Sequence, residues 1–199
     1  MRKIILTAFA IFASAFALAF DYVDTWASYC NGVRYLWQVG YWYDNDHEFD
    51  GEEIVGVSPS PTGAMTIPSS FESGASVRCI GSGVFSNCSL MSAVSIPNTV
   101  EVIRTQAFSG CSGLTTITIP NSTRSIEPNA FDGCSGLLSF SVASGNSTYK
   151  SSSGLLLTKD GTTLVAVPGG LSSVTIPTSV TMIGDFAFPE GSPLTSIVI

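Results

Sequence analysis

The sequence predicts a mainly β protein that folds as a parallel β solenoid with a 23-residue repeat and little helix. The first observation is a fixed recurrence, because Phe85, Phe108 and Phe131 follow one another at a constant 23-residue step. The second is that Ile117 and Ile119 alternate with threonines, which is the period-2 pattern of a half-buried strand. Because a unit this short cannot close a hydrophobic core alone, successive coils must stack to bury their apolar faces.

Three of the predicted strands are followed by a proline, which ends the strand because proline has no N–H to give to a β ladder. The pairs Ile96–Pro97, Ile119–Pro120 and Ile176–Pro177 mark these ends. The last two pairs are separated by 57 positions, which equals one unit of 23 plus one of 34. One coil is therefore predicted to be an enlarged 34-residue unit, and the segment 67–199 is predicted to hold about five coils.

Two segments carry the repeat most clearly, IPNTVEVIRTQAFSGCSGLTTITIP over 96–120 and IPTSVTMIGDFAF over 176–188. They resemble the BspA-like class of leucine-rich repeats, whose units share these spaced isoleucine–proline, alanine–phenylalanine and glycine–cysteine–serine positions. The resemblance covers residues 67–199. The enlarged unit is similar to the hairpin-bearing longer repeat of that family.

The resemblance implies a right-handed solenoid of leucine-rich-repeat type, secreted or displayed on the surface of bacteria or certain parasitic protists. Members described as adhesins bind host or bacterial surface proteins, and many others have no known ligand. The expected function is a secreted or cell-surface binding and adhesion module without enzymatic activity or cofactor, whose partner is a protein on a host or neighbouring cell. A structural spacer or a fragment of a larger surface protein is the alternative.

The chain divides into three segments. Arg2 and Lys3 precede an apolar run that ends in a small-residue cleavage pattern, which predicts a signal peptide over 1–19. No second hydrophobic span follows, so the mature protein is expected to be extracellular without a transmembrane segment. Residues 20–66 hold all three tryptophans and predict an aromatic, acidic cap on the solenoid of 67–199. A carbohydrate-binding aromatic surface is the alternative role of that segment.

The charge balance argues against nucleic acid as a partner. The chain carries 8 lysines and arginines against 15 aspartates and glutamates, a net charge of −7. Loss of residues 1–19 removes two bases and no acid, so the mature charge is 6 minus 15, or −9. Binding to a phosphate backbone needs the opposite sign.

Cys88, Cys111 and Cys134 keep the 23-residue step and are predicted to form an inward ladder of free thiols. Parallel Cβ atoms about 5 Å apart are too distant for a disulfide, which needs about 3.8 Å. Cys79 is predicted to point outward, and a disulfide from Cys30 to Cys79 stays open. The inward corner of each coil is predicted to hold one core phenylalanine, namely Phe85, Phe108, Phe131 and Phe188.

The single histidine, His47, lies in an acidic loop that offers no nucleophile on a rigid scaffold, so no catalytic triad is predicted. Asp46, Glu48 and Asp50 mimic the first half of a calcium loop. The twelfth position is Val57, where a bidentate glutamate belongs, so a solvated acidic hairpin without metal is the expected structure.

Hydroxyl-bearing side chains occupy outward strand positions and form the candidate binding face, which comprises Thr116, Thr118, Ser139, Ser141, Ser173 and Thr175. Such a flat strip is similar to that of ice-binding solenoids, which makes ice a remote alternative ligand. Only one strand carries the full pair of threonines, which disfavours that alternative. The residues are small and generic, so they name no ligand.

The last predicted strand, Leu194–Ile199, aligns with residues 114–119. Its outward residues are uncharged, and no lysine or proline guards it. An edge strand of this kind offers unpaired N–H and C=O groups to another chain. The last coil is therefore expected to be open-ended, so that it either self-associates or is continued in a longer natural chain.

Overall fold

The structure is a computed structural model that describes residues 25–30, 33–44, 47–58, 60–71, 74 and 76–199. The predicted signal peptide, 1–19, lies outside the described residues. These ranges form sixteen β-strands without any α-helix, so they hold no helix able to cross a membrane. The fold is a mainly β parallel solenoid of about six turns of about 23 residues, which confirms the predicted fold class.

An antiparallel meander precedes the solenoid. Its strands are β1, Thr25–Cys30, then β2, Val33–Asp44, and β3, His47–Ser58. The third strand also pairs in parallel with β5, Val77–Ile80, the first strand of the longer solenoid sheet. The meander therefore continues this sheet and shields the edge that β5 would otherwise expose.

Each turn of the solenoid contributes a strand to one face, called here the hydroxyl face. Its six strands are β4, Gly63–Thr66; β6, Met91–Ser95; β8, Thr116–Ile119; β10, Ser139–Val142; β14, Ser173–Thr175; and β16, Ser196–Val198. Parallel pairs join β4 to β6, β8 to β10, and β14 to β16. Because β4 lies within residues 20–66, the solenoid begins inside the segment predicted as the cap, which adds a turn to the predicted five.

A second face carries the short strands of the coil turns. Its strands after β5 are β7, Val102–Ile103; β9, Ser125–Ile126; β13, Thr163–Ala166; and β15, Met182–Ile183. The order β3-β5-β7-β9 forms one continuous sheet, while β13 pairs with β15 in another. The second face is therefore interrupted between β9 and β13.

The interruption coincides with the enlarged coil, which contains the hairpin that the family resemblance implies. Its strands are β11, Tyr149–Ser152, and β12, Leu155–Thr158. The two loop residues, Ser153 and Gly154, have φ values of 51° and 79°. Positive φ at both positions is what a type I′ hairpin turn requires.

The hairpin divides the hydrophobic core in two. Leu156 packs into the larger core, whereas Leu155 and Leu157 pack into a smaller one. A strand buried on both sides acts as a layer between two packed faces. The solenoid therefore consists of a first stack, residues 60–142, and a second stack, residues 163–199, with the hairpin between them.

The larger core contains a stack of aromatic rings. The centroids of Phe85 and Phe108 are 5.2 Å apart, those of Phe108 and Phe131 are 5.8 Å apart, and both pairs are inclined by 11°. All three rings are buried, as the 23-residue spacing predicts. Phe188 is only partly buried, at the edge of the smaller core.

Candidate functional site

The hydroxyl face places four of the six candidate binding residues side by side. Ser139 pairs with Thr116, and Ser141 pairs with Thr118, across the parallel strands β8 and β10. The Ser139 hydroxyl donates a 3.5 Å hydrogen bond to Thr116 Oγ1. Thr116, Thr118 and Ser141 are exposed and Ser139 is half-buried, so these hydroxyl groups can be reached from solvent.

The other two candidates, Ser173 and Thr175, are exposed but lie in a separate patch. Their strand, β14, pairs with β16 and not with β10. The hairpin intervenes, since Phe140 N–H donates a 2.8 Å hydrogen bond to Gly154 O. The predicted single strip is therefore two patches, because the hairpin fills the place where β10 and β14 would meet.

The first patch extends toward the N-terminus on strands of the same kind. Ala64 pairs with Ala93 and Thr66 pairs with Ser95, and residues 93 and 95 stand 23 positions before 116 and 118. Strands β4, β6, β8 and β10 contain no charged residue. The result is a flat, uncharged surface of small side chains.

A buried ionic cluster joins the meander to the solenoid. Glu53 is 5% exposed, and its Oε1 lies 3.0 Å from Arg104 Nε. Arg104 Nη1 lies 3.1 Å from Glu127 Oε1, so one guanidinium bridges two carboxylates. Gly81 makes room for the cluster, because a Cβ there would lie 2.5 Å from Ile54 O and 2.8 Å from Glu53 Oε1. The cluster holds the third meander strand against the first coils.

A second row of charges runs beside this cluster at equivalent positions of successive coils. Glu101 Oε1 lies 2.7 Å from Arg78 Nη1, and Glu101 Oε2 lies 2.7 Å from Arg124 Nη2. The charges therefore alternate in sign and neutralise each other within the protein. This part of the second face offers little field to steer a charged partner.

The thiol ladder is buried and consists of free cysteines, Cys88, Cys111 and Cys134. The Cys111 thiol donates to Phe85 O at 3.0 Å, and the Cys134 thiol donates to Phe108 O at 3.1 Å. Burial raises the pKa of Cys88 to about 11. Because the thiolate is the nucleophile and the metal ligand, the raised pKa makes the Cys88 thiol poorly reactive.

Cys79 is also a free thiol, so the disulfide to Cys30 that the sequence left open is not formed. Cys79 pairs with Val102, as its alignment with the outward position of Val102 predicts, and the two residues pack together outside the main core. What the alignment does not show is that Cys79 is only 2% exposed. Its thiol lies 3.6 Å from Glu53 Oε1, beside the ionic cluster that the repeat alignment does not reveal. Burial and then the Glu53 charge raise the pKa of Cys79.

Of the weak calcium candidates, Asp46 lies outside the described residues. Glu48 and Asp50 lie in β3, where they pair with Tyr43 and Tyr41 of β2. A calcium loop gathers its ligands through turns, which a regular strand does not provide. Within the part of the chain that the structure describes, no three histidine, cysteine or acidic side chains converge on a metal site.

A groove that the sequence analysis missed opens between the two stacks, with a volume of about 330 Å³. It is called the seam groove below. One wall is formed by residues 126–132 and the other by residues 184–187 and Pro189, with Tyr149 and Val165 between them. One sequence signal pointed to it, because Phe186 stands where the preceding coils carry Gln106 and Asn129.

Residues 65–153 and 168–199 match the family described as the BspA type leucine-rich repeat region, in six copies. Among solved structures, the chain is similar to the pneumococcal vaccine antigen PcpA, with 24% identity and a TM-score of 0.59. That match covers 68% of this chain and 33% of the antigen.

The chain is also similar to a leucine-rich cell surface protein of Faecalibacterium prausnitzii, with 25% identity and a TM-score of 0.51. The match covers 69% of this chain and 41% of that protein. The chain therefore spans about a third of the first structure and about two fifths of the second. No curated protein matches the sequence.

Proposed function

The chain belongs to the BspA-type leucine-rich repeat family, and on this premise we propose that it is a secreted or cell-surface module that binds a protein on a host or neighbouring cell. The observation that carries the proposal is the flat, uncharged surface of β4, β6, β8 and β10 on a rigid stack of coils. Rigid scaffolds with exposed, regularly spaced side chains suit the recognition of extended protein surfaces. One similar structure is described as a leucine-rich cell surface protein, which supports a surface location.

The size of this surface limits how a partner can bind. Four strands about 4.8 Å apart, each four residues long at about 3.3 Å per residue, present about 250 Å². A stable protein interface buries about 800 Å² on each side. The partner must therefore contact the turns beside the hydroxyl face as well as the strands.

The proposed role is binding and not catalysis. The accessible hydroxyl groups of Thr116 and Thr118 lie on strands that carry no acid or base to activate them. Burial raises the pKa values of the Cys79 and Cys88 thiols, to about 11 for Cys88. Nucleophilic catalysis needs the reverse, an activated group that a substrate can reach.

The test is attachment of the fluorescently labelled protein to epithelial and bacterial cells, with and without protease treatment of the cells. Thr118→Arg places a long charged side chain on the exposed face and should lower attachment by at least tenfold. Thr181→Arg is the matched control, since Thr181 is exposed beside β15 on the second face, away from the four strands and their turns. Equal attachment by both variants, or attachment that survives protease treatment, would contradict the proposal.

A structural spacer is the second candidate function. It is favoured by the parallel stacking itself, because each coil lengthens a surface protein by about 4.8 Å, and this length does not depend on which side chains face solvent. The same assay separates the two functions, because a spacer attaches to no cell type in any variant.

A further inference from the structure

The seam groove lies where the ladder of hydrogen bonds between successive turns is interrupted beside the hairpin. The two stacks are still joined at the next turn, where Gly170 N–H donates to Leu137 O at 2.8 Å. In the first stack Phe108 N–H donates to Ala130 O at 2.8 Å, and in the second stack Val167 N–H donates to Ala187 O at 2.8 Å. Across the described residues between these stacks, turn 130–132 has no backbone hydrogen bond to residues 165–167. The two turns are left apart, and the groove is the space between them.

The floor of the groove is closed by the hairpin and not by a further coil. Tyr149 of β11 is buried, and its hydroxyl accepts a 3.0 Å hydrogen bond from Ile126 N–H at the end of β9. Phe131, Val165 and Val167 also line the groove, so its inner surface is mostly apolar. An apolar groove on a rigid scaffold is a place for a partner's side chains.

Phe186 lines this groove and is 63% exposed. Its φ of 56° matches those of Gln106, 58°, and Asn129, 60°, at the same position of the preceding turns. The left-handed conformation suits a polar or glycine residue better than phenylalanine. The turn therefore does not require an aromatic ring, and such a ring beside a groove is the usual anchor for a protein partner.

The charge of the groove selects the partner. Glu127, Asp132 and Asp185 line it, and no lysine or arginine does. Glu127 is already paired with Arg104 at 3.1 Å. In the described part of the chain no basic side chain pairs with Asp132 or Asp185, although Asp132 Oδ1 accepts a 2.9 Å hydrogen bond from the backbone N–H of Glu190.

We propose that the seam groove binds a segment of a partner protein in which one arginine or lysine stands between apolar residues. The alkyl part of the basic side chain would pack on Phe186, and its charge would approach Asp132 and Asp185. The volume of about 330 Å³ equals that of roughly eleven water molecules at about 30 Å³ each, enough for one long side chain and its immediate neighbours. The inference rests on the proposed protein-binding function and names the chemistry of the partner.

The experiment is an NMR titration of the ¹⁵N-labelled protein with acetylated, amidated pentapeptides. The first carries arginine between leucine and valine with alanine at both ends, and the second replaces arginine by citrulline, which has nearly the same shape without the charge. The arginine peptide should shift the backbone amides of residues 126, 127, 129–132 and 184–187. Its affinity should exceed that of the citrulline peptide by about two- to fivefold, the range for exposed ion pairs.

Protein variants locate the contacts. Asp132→Asn and Asp185→Asn should each weaken the arginine peptide by about two- to fivefold and leave the citrulline peptide unchanged. Phe186→Ala should weaken both peptides. Met182→Ala is the matched control, because Met182 is 62% exposed on the same coil but does not line the groove.

Equal affinity for the arginine and citrulline peptides would overturn the proposal, and so would shifts confined to the hydroxyl face. Maltotriose is titrated in parallel, and shifts of the groove amides by maltotriose but by neither peptide would overturn it in favour of a glycan. Peptide binding without attachment to any cell would remove the proposed function and leave the groove as a peptide site. Cell attachment without peptide binding would overturn the groove proposal and leave the proposed binding function standing.

Discussion

The aromatic stack makes Phe108 the position where truncation should cost most stability. Its ring is fully buried between Phe85 at 5.2 Å and Phe131 at 5.8 Å. Truncating a buried phenylalanine to alanine costs about 3–5 kcal/mol, from lost transfer free energy and from the remaining cavity. Because Phe108 stacks on two neighbouring rings, we expect the loss of stability in Phe108→Ala to lie near the upper end of this range, at about 5 kcal/mol.

The assay is urea denaturation followed by circular dichroism, with the free energy of unfolding compared at equal slope. Because about 5 kcal/mol can equal the whole stability of a small domain, Phe108→Leu is measured beside Phe108→Ala. Leucine keeps most of the volume and removes only the ring contacts, so its expected cost is about 1–2 kcal/mol. Phe188→Ala is the control for a partly buried phenylalanine and should cost about 2 kcal/mol.

The test is the relative loss of stability in the three variants, which should be largest for Phe108→Ala. A loss below about 1 kcal/mol for Phe108→Ala would show that the ring is exposed in solution. Equal losses for Phe108→Ala and Phe188→Ala would show that the two corners are packed alike, which contradicts the division into a large core and a small one.

The ionic cluster, the thiol ladder and the last coil give three further expectations. Glu53→Gln should lower the free energy of unfolding by about 3 kcal/mol in urea because it leaves Arg104 without its buried partner, whereas Glu101→Gln, between exposed arginines, should cost less than about 1 kcal/mol; equal losses would contradict this. The pKa of Cys88 is raised from 9.0 to about 11, so its alkylation at pH 8 should be about a hundredfold slower than in the unfolded chain and should accelerate up to pH 10. The alkylation rate is followed by mass spectrometry, and a rate equal to that of the unfolded chain would refute this expectation. The purified chain should self-associate as its concentration rises, and Val198→Lys should suppress this in sedimentation; a monomer over a hundredfold range would count against it.

The part of the candidate site that follows the repeat could be predicted from the sequence. Thr116, Thr118, Ser139 and Ser141 are neighbours because a residue and its equivalent 23 positions later lie on adjacent strands. The buried phenylalanines and ladder cysteines follow from the same rule. Periodicity reveals such contacts because each coil packs against a copy of its own pattern.

The part of the site that breaks the repeat could not be predicted in this way. Cys79 is buried beside Glu53 and Arg104, which come from the meander and from another coil and occupy non-equivalent positions. Ser173 and Thr175 share the outward pattern but are separated from the other four residues by the hairpin. Contacts between unlike elements leave no periodic signal in a single sequence.

The period, the strand alternation, the strand-ending prolines and the presence of one enlarged coil can all be predicted from the amino-acid sequence. These features depend on local preferences and on the need of every coil to bury the same face. The path of the extra residues of that coil depends instead on packing between distant parts of the chain. They form a hairpin that enters the core, with Leu156 on one side and Leu155 and Leu157 on the other. Because that layer replaces a regular coil, it divides the core, splits the hydroxyl face and opens the seam groove.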